Sequence, residues 1–186
     1  MSKTRQHRPQ PARREVLRFG LVGLFTALPA MRAWADVLSE LSSNPMVTVE
    51  NFDAKGVSTG VVRSAKVVKS DAEWAAVLKP EVYRVTRQNE ADHPYTGNYW
   101  NSRADGIYRC VCCAAALFDS RSKFESGTGW ASFWEPISAL NISRNGDALA
   151  CTQCDAHLGH VFTDGPTDTG LRYSAYSLSL SFVAKT

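Results

Sequence analysis

The chain has 186 residues, enough for one domain with a substantial core. Its formal charge of +3 is unevenly placed. Residues 1–35 hold seven basic side chains (Lys3, Arg5, Arg8, Arg13, Arg14, Arg18 and Arg32) against Glu15 alone, which leaves the remainder at about −3. A mildly acidic domain without a basic cluster argues against nucleic acid as a partner.

The basic stretch is followed by an apolar run from Phe19 through Leu28 and then by Ala33-Trp34-Ala35, an A-x-A cleavage pattern before Asp36. That order of segments predicts a secretory signal over residues 1–35. The Arg13-Arg14 pair points to the twin-arginine route, and so to a periplasmic or exported protein. A membrane anchor is the alternative, but the run is too short to span a bilayer, so no stable membrane span is expected after cleavage. Residues 36–69 read as an extended, partly loose lead-in, with Val47 to Val49 and Val61-Val62 β-prone and Gly56 and Gly60 as breakers. Ser70-Asp71-Ala72-Glu73 is a capping box, and Trp74, Val77 and Leu78 follow at helical spacing. Pro80 either ends that helix or opens a second one through Tyr83, Val85 and Arg87.

From Ile107 onward short β-prone runs alternate with turn residues: Ile107–Arg109, Ala116–Phe118, Ser132–Glu135, Leu140–Ser143, Ala148–Cys151 and Val161-Phe162. Asn145-Gly146 is a two-residue hairpin signal. From Arg172 to Phe182 apolar and polar residues alternate, which predicts one strand with Arg172, Ser174 and Tyr176 on the inward face and Ser177, Ser179 and Ser181 outward. The fold class is therefore mainly β and antiparallel, behind a small N-terminal helical cap, with the domain proper at 70–186.

Five cysteines are present: Cys110, Cys112, Cys113, Cys151 and Cys154. Cys110/Cys113 and Cys151/Cys154 form two Cys-x-x-Cys pairs, each at the end of a β-prone run. Tetrahedral Zn²⁺ wants four soft ligands, and each pair on a tight turn supplies two. A disulfide framework is the competing reading in an exported protein. Cys112 is left over, either packed beside the turn, a spare ligand, or a redox-active thiol. His157 and His160 follow the second pair at once. If four thiolates close the metal site, the imidazoles are better read as proton donors near a pocket.

Tyr83-Arg84-Val85-Thr86-Arg87-Gln88, His93-Pro94-Tyr95-Thr96-Gly97, Gly106-Ile107-Tyr108-Arg109-Cys110, Leu117-Phe118-Asp119-Ser120, Lys123-Phe124, Ser126-Gly127-Thr128-Gly129-Trp130, the run from Cys151 to Phe162, Asp164-Gly165-Pro166 and Thr169-Gly170-Leu171-Arg172-Tyr173 come in one order and spacing. Over roughly Ser70 to Val183 the chain resembles the methionine-R-sulfoxide reductase B family. The resemblance implies two twisted antiparallel sheets and a structural zinc on the four cysteines. It also implies reduction of methionine-R-sulfoxide in proteins or peptides at the expense of a thiol reductant. By the same resemblance Trp130 cradles the substrate methyl, His157, His160 and Arg172 order water and polarise the sulfoxide oxygen, and Asp164 is a neighbouring acid.

Three positions depart from the family pattern. Ser174 stands where the nucleophilic cysteine would be, Tyr176 replaces an asparagine and narrows the pocket floor, and Thr128 occupies a common site for a resolving cysteine. The last is harmless, because an external thiol can do that work. Ser174 is not harmless. A thiolate accepts the sulfoxide oxygen as a sulfenic acid. A serine oxygen would have to become a hydroperoxide, which is too oxidising to form from a sulfoxide. A thiol near ~8.5 can also be tuned to ionise, whereas a hydroxyl is not appreciably ionised at neutral pH.

Overall fold

A computed structural model describes residues 44–186. The expected signal segment, its cleavage pattern and the lead-in up to residue 43 lie outside the described residues. Among the described residues no helix is long and apolar enough to cross a membrane.

The expected lead-in is a hairpin of β1 (Met46–Phe52) and β2 (Ser58–Ala65), paired antiparallel. Next comes α1 (Asp71–Val77), started by the expected capping box. Ser70 Oγ accepts from the Glu73 amide at 3.3 Å, and the Glu73 carboxylate accepts from the Ser70 amide at 2.7 Å. Pro80 opens a second helix, α2 (Pro80–Gln88), where its missing N–H and fixed φ cost nothing. That helix buries Val82, Val85 and Thr86 and stops at Asn89, whose left-handed backbone (φ 58°) terminates it. Thr86 satisfies its buried hydroxyl on the Val82 carbonyl at 2.7 Å.

The β region holds β3 (Gly106–Cys110), β4 (Ala116–Asp119), β5 (Lys123–Phe124), β6 (Ala131–Phe133), β7 (Ile142–Asn145), β8 (Ala148–Cys151), β9 (His157–Phe162), β10 (Arg172–Ala175) and β11 (Leu180–Ala184). Two antiparallel sheets were expected, and the described residues form three. A six-stranded sheet runs β5-β6-β10-β9-β8-β7, a three-stranded sheet runs β11-β3-β4, and the N-terminal hairpin is the third. Tyr108, Leu117, Phe118, Phe133, Leu149 and Leu158 are fully buried where the two larger sheets meet. Phe118 and Phe133 stack across that seam with centroids 4.2 Å apart.

Three expectations about strands need correction. The run from Arg172 to Phe182 is not one strand: the chain leaves the six-stranded sheet after Ala175, makes a 3-10 turn at Ser177–Ser179 and enters the three-stranded sheet as β11. Ser177 and Ser179 are buried rather than outward. Their hydroxyls have partners there, since Ser179 Oγ donates to the His157 carbonyl at 2.8 Å and Ser177 Oγ accepts from the Tyr99 amide at 3.3 Å. The hairpin turn falls one residue later than expected. Asn145 pairs with Ala148, so Gly146 (φ +64°) and Asp147 form the loop. Finally, both histidines lie on β9, of which only the end was expected as strand.

The N-terminal hairpin is tied to the body by Asn141, which is 1% exposed. Its Nδ2 donates to the carbonyls of Glu50 and Ala116, both at 2.8 Å, and its Oδ1 accepts from the Glu50 amide at 2.8 Å. Lys66 adds an ion pair to Asp155 at 2.7 Å, and Val67 donates to the Gln153 carbonyl at 2.8 Å. Asn141→Ala strands buried backbone groups, so it should cost about 3 kcal/mol in urea unfolding. A loss below about 1 kcal/mol would mean the hairpin docks by other means.

Candidate functional site

The cysteines occupy two turns of matching geometry. Cys110 ends β3 and Cys151 ends β8. In the first turn Cys110 donates to Ala115 O (2.8 Å) and Ala114 donates back to Cys110 O (2.8 Å). In the second, Cys151 donates to Ala156 O (2.9 Å) and Asp155 donates to Cys151 O (2.8 Å). Ala114 and Asp155, at equivalent positions, both adopt left-handed backbone (φ 62° and 56°). No glycine marks either position, so residue type alone does not announce this conformation.

The two turns bring four sulfurs into one group. Cys110 and Cys154 Sγ are 3.6 Å apart, Cys113 and Cys151 Sγ are 3.5 Å apart, and all four lie within 4.8 Å of one another. A tetrahedron with Zn–S bonds of about 2.3 Å has edges of about 3.8 Å, so the group fits zinc. The close contacts run between the turns, not within each Cys-x-x-Cys pair, and all five cysteines are free. That arrangement sets aside the disulfide framework. Hydrogen bonding shared among the four thiols pulls Cys113 and Cys154 below the ordinary thiol range and pushes Cys110 and Cys151 above it. The residues that would hold the ion are thus Cys110, Cys113, Cys151 and Cys154, and a four-thiolate shell leaves no open position for substrate. Cys112 is half-buried at the edge of the core beside this group and is not one of the four.

A separate cavity of about 330 Å³ opens on the six-stranded sheet. Trp130, His160, Phe162, Arg172, Ser174 and Tyr176 line it, with Ala91 and Thr128 at its margin. β10 lies between β6 and β9, and the register sets Ser174 opposite both Ser132 and His160. Alternation then places Arg172 and Ser174 on one face, with Tyr176 following as the strand ends. Gly159 lets the strands meet. Its φ is +139°, and a Cβ there would sit 2.0 Å from the Ser174 carbonyl oxygen.

Each wall has its own support. Arg172, 5% exposed, is gripped by both oxygens of Asp164 (2.8 and 3.0 Å) and lies over the Phe162 ring, 4.4 Å from its centre. Asp164 itself stands outside the cavity, so its place in the structure is behind Arg172. Trp130 is fixed by its indole N–H on the Asp92 carbonyl at 3.1 Å. The Tyr176 ring sits between Trp130 (6.4 Å between centroids), His160 (6.2 Å) and His157 (5.6 Å). His157 does not line this cavity. It is buried behind His160, 5.3 Å away, and its affinity for a proton is lowered by burial and then by the neighbouring imidazole. His160 Nδ1 faces Asp147 at 3.5 Å.

Two contributors were not singled out from sequence. Asp92 is 7% exposed, and burial raises its pKa. One carboxylate oxygen accepts from the Leu178 amide at 3.4 Å, and the backbone carbonyl of the same residue holds Trp130. Its only signal was an acid directly before His93-Pro94-Tyr95. Phe162 is expected as a strand residue at the close of the Cys151 to Phe162 run, with no role of its own, yet it is the surface on which Arg172 rests.

Two matched cysteine turns stapling the sheets, and a separate aromatic cavity built mainly by β9 and β10, define a small zinc-bearing antiparallel β protein. Residues 78–184 match the SelR domain, and the chain belongs to that family, the MsrB family of peptide methionine sulfoxide reductases. It is 48% identical over 128 residues to the peptide methionine sulfoxide reductase MsrB of Synechococcus sp. (strain RCC307), covering 64% of this chain and 94% of that protein. The MsrB of Thiobacillus denitrificans is 47% identical over 125 residues, covering 63% and 95%. That of Chromohalobacter salexigens is 48% identical over 128 residues, covering 64% and 96%.

The metal centre yields a direct expectation. The purified chain should carry about one zinc, and chelation should destabilise the whole domain, because binding free energy at such a site is folding free energy. Cys151→Ser should be as damaging as Cys110→Ser, since each removes one corner. Metal-free protein with Cys110–Cys113 and Cys151–Cys154 disulfides in mass spectrometry would contradict the assignment.

Proposed function

We propose that the cavity on β10 receives methionine-R-sulfoxide of proteins, and that oxygen transfer onto the chain stops at Ser174. The observation that carries this reading is the convergence of Arg172, Ser174 and Tyr176 on the same cavity as Trp130 and His160. Trp130 and Tyr176 offer aromatic walls to the substrate methyl and thioether carbons. Arg172, its guanidinium fixed by Asp164, and His160 are the donors available to a sulfoxide oxygen. His157 braces His160 and Tyr176 from behind. Zinc, when bound, holds the two turns together and takes no part in the chemistry.

Reduction of a sulfoxide consumes two thiols and yields a sulfide, a disulfide and water. In the family's scheme the first thiol belongs to the protein and becomes a sulfenic acid when it takes the oxygen. Ser174 has the position without the chemistry, and lowering a barrier does not make an uphill acceptor favourable. Cys112 is the one thiol outside the zinc group, but it sits beside that group and not on the cavity wall. Binding and transfer depend on different groups, so the pocket retains a purpose as a site for oxidised methionine.

The N-terminal pattern supports export of this domain to an oxidising compartment through a twin-arginine signal. Edman sequencing of exported protein should begin at Asp36, and a retained Met1 would contradict cleavage.

The functional test is turnover of a methionine-R-sulfoxide peptide with dithiothreitol. The native chain should show none above background, and Cys112→Ser should change nothing. Ser174→Cys should raise the rate by at least about 100-fold, because it restores the acceptor to a wall already facing the pocket. Adding Tyr176→Asn should raise it further by widening the floor. A native rate matching that of Ser174→Cys would overturn the reading.

A further inference from the structure

Arg87 lies at the C-terminal end of α2, where three parts of the molecule meet. Its Nη1 donates to the Cys154 carbonyl at 2.8 Å, and its Nη2 reaches Cys154 Sγ at 3.6 Å. Its guanidinium covers the ring of Trp74, the buried residue of α1, at 4.1 Å from the centre. The side chain is half-buried, and its Nε has no hydrogen-bond partner among the described residues. The two Nη contacts and the aromatic stack hold it, with the Cys112 thiol also beside the guanidinium.

We infer that Arg87 is a positioning residue for the zinc centre, setting a cation against the four thiolates and docking the helical cap on them through Cys154. Zinc with four thiolates carries a net charge of −2 in a largely buried setting. A guanidinium is suited to that place, being permanently charged, weakly hydrated and able to stack on an aromatic face while donating in its plane. Hydrogen bonds to a ligating sulfur draw off charge and fix the ligand's orientation. The other arginine near this end of the helix, Arg84, points to solvent and pairs with exposed Glu90, so position on α2 alone does not explain the contact.

The docking also reaches the pocket. α2 ends at Asn89, Ala91 lines the cavity margin, and the Asp92 carbonyl holds the Trp130 indole N–H. A shift of α2 relative to Cys154 is thus passed along a short stretch of chain to the aromatic wall. This consequence rests on the function proposed above, whereas the role at zinc does not.

The test uses the zinc-loaded full chain and two readouts, transfer of zinc to a chromogenic chelator and the indole ¹⁵N–¹H resonance of Trp130. Arg87→Met should release zinc about tenfold faster than native, the scale typical of losing an outer partner of a metal ligand. Arg87→Lys should fall between, since it keeps the charge but not the planar fork. Arg84→Met should behave as native. Release from Arg87→Met within about twofold of native would overturn the inference. If that variant does not fold, Arg87→Lys decides, and a native rate from it has the same force. A Trp130 resonance that moves in zinc-bound Arg87→Lys supports the link to the pocket, and one that stays fixed removes that link whatever the zinc rate.

Discussion

The meeting of four cysteine sulfurs is the constraint on which the rest of the molecule depends. One Cys-x-x-Cys turn closes β3 and β4 of the three-stranded sheet, and the other joins β8 to β9 of the six-stranded sheet. A single ion at their centre therefore couples the two layers that also share the Tyr108, Phe118 and Phe133 cluster. Magnitudes make the metal comparable to the whole net stability of a domain. Zinc on such a site is worth about 10–16 kcal/mol near neutral pH. A whole domain is ordinarily stable by only about 5–15 kcal/mol. The staple is thus as large as the margin it protects, and the left-handed backbone of Ala114 and Asp155 is a small strain by comparison.

The pocket inherits its geometry from this frame. β9 starts at His157, shortly after Cys154, so the second turn sets where His157 and His160 fall. β9 then sets β10 through a register in which His160 faces Ser174. Gly159 allows that approach, and Asp164, on the turn between the two strands, grips Arg172. On the other side Asp92 fixes Trp130 from the end of the helical cap. Arg172 and Trp130, two of the walls, are each held from behind by a group that is not itself a wall. On the function proposed above, such a frame would keep the shape of a sulfoxide site with Ser174 in place of the oxygen acceptor.

Much of this was legible in the sequence, and the reasons differ by element. The capping box at Ser70, the helix opening at Pro80 and the two Cys-x-x-Cys pairs each rest on local spacing with few physical solutions. The convergence of Arg172, Ser174 and Tyr176 followed from two-residue alternation over a short run. The same alternation misled beyond Ala175, because a polar residue in an alternating run says nothing about a partner waiting inside. Ser177 and Ser179 are buried on hydrogen bonds to Tyr99 and His157, contacts across long stretches of chain. Asn141 was invisible for the same reason, since it sits in a 3-10 turn and its partners at Glu50 and Ala116 come from two different sheets. Asp164 was expected as an acid neighbouring the pocket; it lies against Arg172 outside the cavity wall, a position set by a turn that spacing alone does not describe. The third sheet escaped notice because the exposed valines of β2, Val61 and Val62, resemble a loose segment until Asn141 pins the hairpin.

Binding without oxygen transfer is the central claim, and stereoselective calorimetry tests it most directly. Peptides containing methionine-R-sulfoxide, methionine-S-sulfoxide and unoxidised methionine would each be titrated into the zinc-loaded native chain, with the peptide recovered and weighed by mass spectrometry afterwards. The R-sulfoxide peptide should bind at least about tenfold tighter than the other two, a difference of about 1.4 kcal/mol, and should be recovered with its oxygen in place. Equal affinity for all three peptides, or recovery of the R peptide as the thioether in the presence of thiol, would contradict it.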